Sequence, residues 1–145
     1  MSVEQARLED TQAWLRKAAG DIRADTLLLL HDPELAERFL FFAQQSIEKA
    51  FKAFLTWHDE PFRKTDDLAE LGGACASKAP ELAAIVEKTV FLTSFAVAHR
   101  YPTTEPLPSA DEIAEALKLS RETVLAILRL LAPAVGQHQL PILED

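Results

Sequence analysis

The stretch AQQSIEKAFKAFLTWH, from Ala43 to His58, places Gln45, Lys49, Lys52 and Thr56 at three- and four-residue steps. On a helix these four share one side, opposite Phe39, Phe51 and Phe54. Two ammonium groups and a side-chain amide in one strip make a candidate working surface. The same strip also has a plain structural use, as a solvated face on which Glu48 pairs with Lys52 at i, i+4. A second group is Arg100-Tyr101-Pro102, at the end of an apolar helix. Arg100 there either compensates the negative helix end or clamps phosphate, with Tyr101 packing on the loop or serving as an aromatic platform. Pro102 enforces the helix stop.

Other chemistries lack their parts. His31, His58, His99 and His138 lie near helix ends and in the tail, and no two have the i, i+4 spacing of a helical metal site. Glu-x-x-His pairs, which build di-metal bundles, do not occur. Neither a glycine-rich phosphate loop nor a nucleophile in a recognisable setting is present, so we expect no metal, no cofactor and no enzyme of a familiar motif. A net charge of -8 repels polyphosphates at long range. Residues 1–65 carry nine basic and eleven acidic groups against six and twelve in 66–145, which favours the first half for an anion site.

The single cysteine, Cys75, excludes an internal disulfide and reads as a small buried hydrophobe in a reducing compartment. The N-terminus MSVEQARLEDTQAW has no signal-peptide pattern, and the uncharged run TVFLTSFAVAH is too short to cross a bilayer. The expectation is a soluble cytoplasmic protein with no membrane partner.

The elements that would position these groups are helices. Leu8, Leu15, Ala18, Ile22 and Leu29 predict a first helix from about Glu4 to about Leu30, with Trp14 docking at its edge. Asp32 as N-cap and Pro33 at the first helical position restart the chain after a tight turn. The second helix, to about His58, carries a broad stripe that includes Leu35, Phe39, Ile47, Phe51 and Phe54. Thr65 or Asp66 is expected to cap a short helix through about Ala74, its end weakened by Gly72 and Gly73. A further helix restarts at Pro80 or Glu81 and is apolar on almost every side from Thr89 to Ala98, which suits a central helix or a dimer seam. Ser109 and Glu112 form a capping box for the last helix, which Pro133 should end near Ala132. The pattern predicts an all-α, up-and-down four-helix bundle with one short extra helix over residues 1–132, and a tail over 133–145.

At this level of detail the chain resembles the HEPN domain family. The resemblance runs from about Trp14 to about Leu131 and rests on Ala43-Gln44-Gln45 with Glu48-Lys49 and Lys52-Ala53, then TDDLAELG, then Arg100-Tyr101-Pro102. It implies a helical bundle that commonly dimerises, often paired with a small, separately encoded nucleotidyltransferase in toxin-antitoxin-like systems. Ribonuclease branches carry a histidine after four to six residues beyond the arginine; here those positions hold Glu105, Pro106 and Leu107. Members of the subtype often have histidine before the Asp-Leu pair, where this chain has Thr65 and Asp66. The resemblance therefore implies a non-catalytic, nucleotide- or RNA-associated homodimer, with Gln45, Lys49, Lys52, Arg100 and Tyr101 as the phosphate and nucleotide contacts. The alternatives are a metal-independent ribonuclease, in which Arg100 orients phosphate and His99, supported by Asp67 or Glu48, supplies the base, and a purely structural helical interaction protein.

Overall fold

A computed structural model describes residues 2–31, 36–98, 102, 104 and 106–135. Leu15, Ala18 and Ile22 point inward from α1, Val3–His31. The second helix, α2, runs from Ala36 to Trp57, and its stripe of Phe39, Ile47, Phe51, Phe54 and Leu55 is fully enclosed. Burying a side chain of that size contributes about 1.5–3 kcal/mol. Three phenylalanines thus commit α2 to the middle of the molecule.

Named contacts give the direction of each neighbour. Asp21 meets Lys49 and Arg7 lies over Trp57, so α1 and α2 are antiparallel. Helix α3, Leu68–Lys78, descends parallel to α2: Gln44 bonds to Asp66 just before α3, and Cys75 lies against Phe51 further down. A turn of 3-10 helix, Pro80–Leu82, leads into α4, Ala83–Ala98, which climbs back past Val86 to Leu92. Finally α5, Ala110–Val135, packs antiparallel to α1, with Arg121 bonded to Thr26 and Ile113 in a cluster with Phe39. The expected all-α bundle with a short extra helix is what the chain forms.

The ends of the elements are chemically specific. Ser109 Oγ accepts from the Glu112 amide at 3.1 Å while Glu112 accepts from the Ser109 amide at 3.0 Å, the reciprocal box expected from sequence. Helix α2 closes in a Schellman motif: the Glu60 amide donates to Leu55 and the Asp59 amide to Thr56, with Asp59 at φ 53°. The pairing of Asp32 and Pro33 lies outside the described residues.

Four expectations need correction. The cap of α3 is Asp67, whose Oδ1 accepts from the Ala69 and Glu70 amides, while Thr65 Oγ1 accepts from the Asp67 amide and holds the approach. Secondly, α3 does not fade at the glycines but continues to Lys78. A Cβ on Gly72 would stand 2.7 Å from Val86 Cγ1 and 3.1 Å from the Phe51 ring, so this glycine lets three elements meet. Thirdly, of the two readings of α4, as a central helix or a dimer seam, the first does not hold: Thr89 and Leu92 are buried, but Val90 is 38% and Phe91 75% exposed. The wider stripe of α2 has taken the centre, leaving α4 on the flank. Lastly, α5 passes through Pro133 to Val135; the proline loses the bond to Arg129 and crowds its carbonyl, but with only two residues beyond it almost no helix has to be realigned.

Candidate functional site

Most of the strip on α2 is covered, Lys52 more than Gln45, Lys49 and Thr56. It lies under α1 on one side and under the 58–67 connection on the other, because α2 is enclosed by its neighbours. Lys49 Nζ donates to Asp21 Oδ2 at 2.6 Å across the α1–α2 seam. Lys52 is only 8% exposed; its ammonium lies 3.6 Å from Glu48 Oε2, 5.4 Å from the Trp14 ring centre and 5.9 Å from that of Phe62. Two aromatic faces and a carboxylate thus replace its hydration shell. Trp14 and Phe62 meet edge to face at 6.4 Å, which fixes the aromatic clamp. The i, i+4 pair expected from sequence exists, but as an enclosed pair rather than a surface one.

Burial dominates the electrostatics of this seam. Desolvation raises the Glu48 carboxyl above its ordinary range even though Lys52 and Lys49 pull it down. Asp21 is raised for the same reason, against the hydrogen bond and charge of Lys49 and the charge of Lys17. Asp25, one turn along α1, is fully buried and neither of its oxygens has a hydrogen-bond partner. Burial, reinforced by the charge of Asp21, pushes its pKa up to about 8. A neutral acid is therefore its resting state at pH 7.

Gln44 is buried, and its Nε2 donates to the Asp66 carbonyl at 3.2 Å, tying α2 to the segment that leads into α3. Gln45 and Thr56 are half-buried. Thr56 opens on two adjoining hollows, of about 180 and about 630 Å³. Arg7 lies 5.3 Å from the Trp57 ring at the larger of them, with its Nε enclosed and without an acceptor. Pattern reading does not single out Arg7, Asp21, Asp25 or Trp57, and it names Gln44 only within the Ala43-Gln44-Gln45 run that carries the family resemblance. Asp25 carried a usable signal, since it falls three residues after Ile22 and four before Leu29, on the apolar stripe itself.

Of the other groups named from sequence, Asp67 spends its carboxylate on capping α3, and Cys75 is buried with its thiol pushed up to about 12 by desolvation. His58 is exposed at the end of α2, its ring 4.3 Å from that of Phe54. His99, Arg100, Tyr101 and His138, together with the side chain of His31, lie outside the described residues. By sequence, Arg100 and Tyr101 follow two and three residues after the end of α4. Among the described residues no three His, Cys, Asp or Glu side chains gather in a way that would hold a metal, and no helix is long and apolar enough to cross a membrane.

The profile of the HEPN domain matches residues 11–130, from the first turns of α1 almost to the end of α5. The curated proteins and the solved structures give no match.

Proposed function

Because the chain belongs to the HEPN domain family, we propose that it is a non-catalytic binding module for a nucleotide or RNA. In this reading it works as a homodimer beside a separately encoded nucleotidyltransferase, in a toxin-antitoxin-like pair. The observation that carries it is the extent of the match, which takes in both the α2 strip and Arg100-Tyr101 within residues 11–130. Arg100 is the phosphate anchor and Tyr101 stacks on a base or positions the loop. Lys49 and Lys52 contribute differently from a free cationic surface. Each is neutralised by a carboxylate at 2.6 or 3.6 Å, so a bound phosphate has to compete with Asp21 or Glu48 for them. Gln45, half-buried on the same strip, offers its amide without that competition.

The test is titration of the purified protein with ATP, GTP and short single-stranded RNA by calorimetry. Arg100→Ala should abolish binding while leaving Tm nearly unchanged; a large loss of Tm instead would make Arg100 a structural residue. Metal-free RNA cleavage by the wild type that disappears in both His99→Ala and Arg100→Ala would replace this reading with the ribonuclease one. An absence of binding to every nucleotide and RNA would leave a helical interaction protein.

A further inference from the structure

Between α4 and α5 runs a groove of about 550 Å³. Its floor is apolar, made by Leu40 of α2, Leu92 of α4, and Ala116 and Leu119 of α5. Phe91, three-quarters exposed, forms the lip on the α4 side. The two walls differ in charge. The α5 wall presents Asp111, Glu115 and Glu122, all exposed, whereas the α4 wall presents Lys88. Lys118, the cation on the α5 wall, stands 3.9 Å from Glu122 and is partly spent there, and the Glu112 carboxylate is held by the Ser109 amide. An apolar trough with one acidic bank is left, and that asymmetry describes its occupant.

We propose that this groove docks an amphipathic helix of another protein, with large apolar side chains facing the trough and lysines or arginines along the edge that meets α5. Asp111 and Glu115 stand about 6 Å apart along α5, so the unpaired part of the acidic bank runs alongside about one turn of a partner lying parallel to it, with the Lys118–Glu122 pair beyond. Carboxylates one turn apart, at 111 and 115, match cations repeated at the same interval. A second copy of this chain does not fit that description. The molecule carries a net charge of -8, and among the described helices none is a basic amphipathic one. The inference stands apart from nucleotide binding, since it uses neither Arg100 nor the α2 strip.

The probe is a fluorescein-labelled synthetic helix of about four turns, with leucines at i, i+3, i+4 and i+7 and lysines along one edge; its control carries glutamates in place of the lysines. Fluorescence anisotropy with the full chain should show the lysine peptide binding at least about tenfold more tightly than the control, the difference shrinking as salt is raised. The double variant Asp111→Lys/Glu115→Lys, at two exposed positions, should invert that preference while the protein stays folded, with Tm lowered by a few degrees at most because a cation at position 111 opposes the first turn of α5. Phe91→Ser should weaken binding of the lysine peptide about tenfold. Equal binding of the two peptides, or indifference to the double charge reversal, would overturn the proposal. So would a loss of self-association in Phe91→Ser or in the charge-reversed protein, measured by light scattering, because it would give the groove to a second copy.

Discussion

On one side of this molecule charge is taken out of water, and on the other apolar surface is left in it. In the α1–α2 seam Lys52 and Glu48 are buried, and their pairing and the aromatic faces around Lys52 have to make up for lost hydration, while Asp25 on α1 is buried with no hydrogen-bond partner at all. Across the α4–α5 groove Phe91 is exposed while Asp111 and Glu115 stand at the surface beside it. The difference teaches that burial here follows the place of a helix in the bundle and not the character of its residues. Helix α2 is enclosed by α1, α3, α4 and α5, so whatever it carries is enclosed too; α4 has solvent on one flank, and its phenylalanine meets it.

The strongest way to break that contrast is to remove one partner of the enclosed pair. Lys52→Ala leaves Glu48 without its counter-charge and strips a cation from between two rings, and should cost about 3–5 kcal/mol in denaturant unfolding. Glu48→Gln/Lys52→Met, which removes both charges, should cost clearly less. Equal losses in the two proteins would mean that the aromatic contacts matter and the ion pair does not.

Asp25 sharpens the same side of the comparison through pH. Its folded pKa of about 8 stands above the ordinary 3.8, so the folded protein keeps a proton that the unfolded chain gives up. Stability must fall as pH rises between those values, by at most about 1.4 kcal/mol per pH unit, and level off above pH 8. Asp25→Asn abolishes this group's share of the slope. Its Tm relative to wild type should climb steadily from pH 5 to pH 8, and a difference independent of pH would mean that Asp25 is ionised in the fold.

Two adjacent glycines probe how tightly the covered side is built. Gly72→Ala forces a methyl against Val86 and Phe51, and should destabilise because overpacking costs about 1–3 kcal/mol against a helix-propensity gain of about 1. Gly73→Ala, with nothing within 4 Å of the new methyl, should stabilise by up to about 1 kcal/mol. The smallest effect belongs to the open side. Phe91→Ser should change the unfolding free energy by no more than about 0.5 kcal/mol, as an exposed position requires.

Much of the fold was legible because its signals are local. The stripe on α2, the restart at Pro80 and the Ser109–Glu112 box each sit within a few residues of chain, where spacing and capping chemistry speak directly. The strip at Gln45, Lys49 and Lys52 was legible as a group on one side of a helix. Its environment was not, because Asp21, Trp14 and Phe62 come from elsewhere in the chain and periodicity carries no information about which helix covers which. The same limit explains α4, whose apolar run suits a buried helix until α2 has occupied the centre. Asp67 was passed over for its neighbours since Thr65, Asp66 and Asp67 are all competent caps, and only the backbone turn chooses among them.

The box at the start of α5 has a consequence for how this chain tolerates change. Ser109 and Glu112 satisfy each other's amides without help from anything upstream, so the first turn of α5 is fixed from within. The amides at the start of α5 therefore stay satisfied when residues before the buried Pro108 are changed, and Ile113, Leu117 and Val124 enter the core from a helix that begins at a fixed residue. Changes in sequence or length upstream of Pro106 leave the first turn of α5 capped from within. A bundle punctuated in this way can be altered at that edge without being refolded.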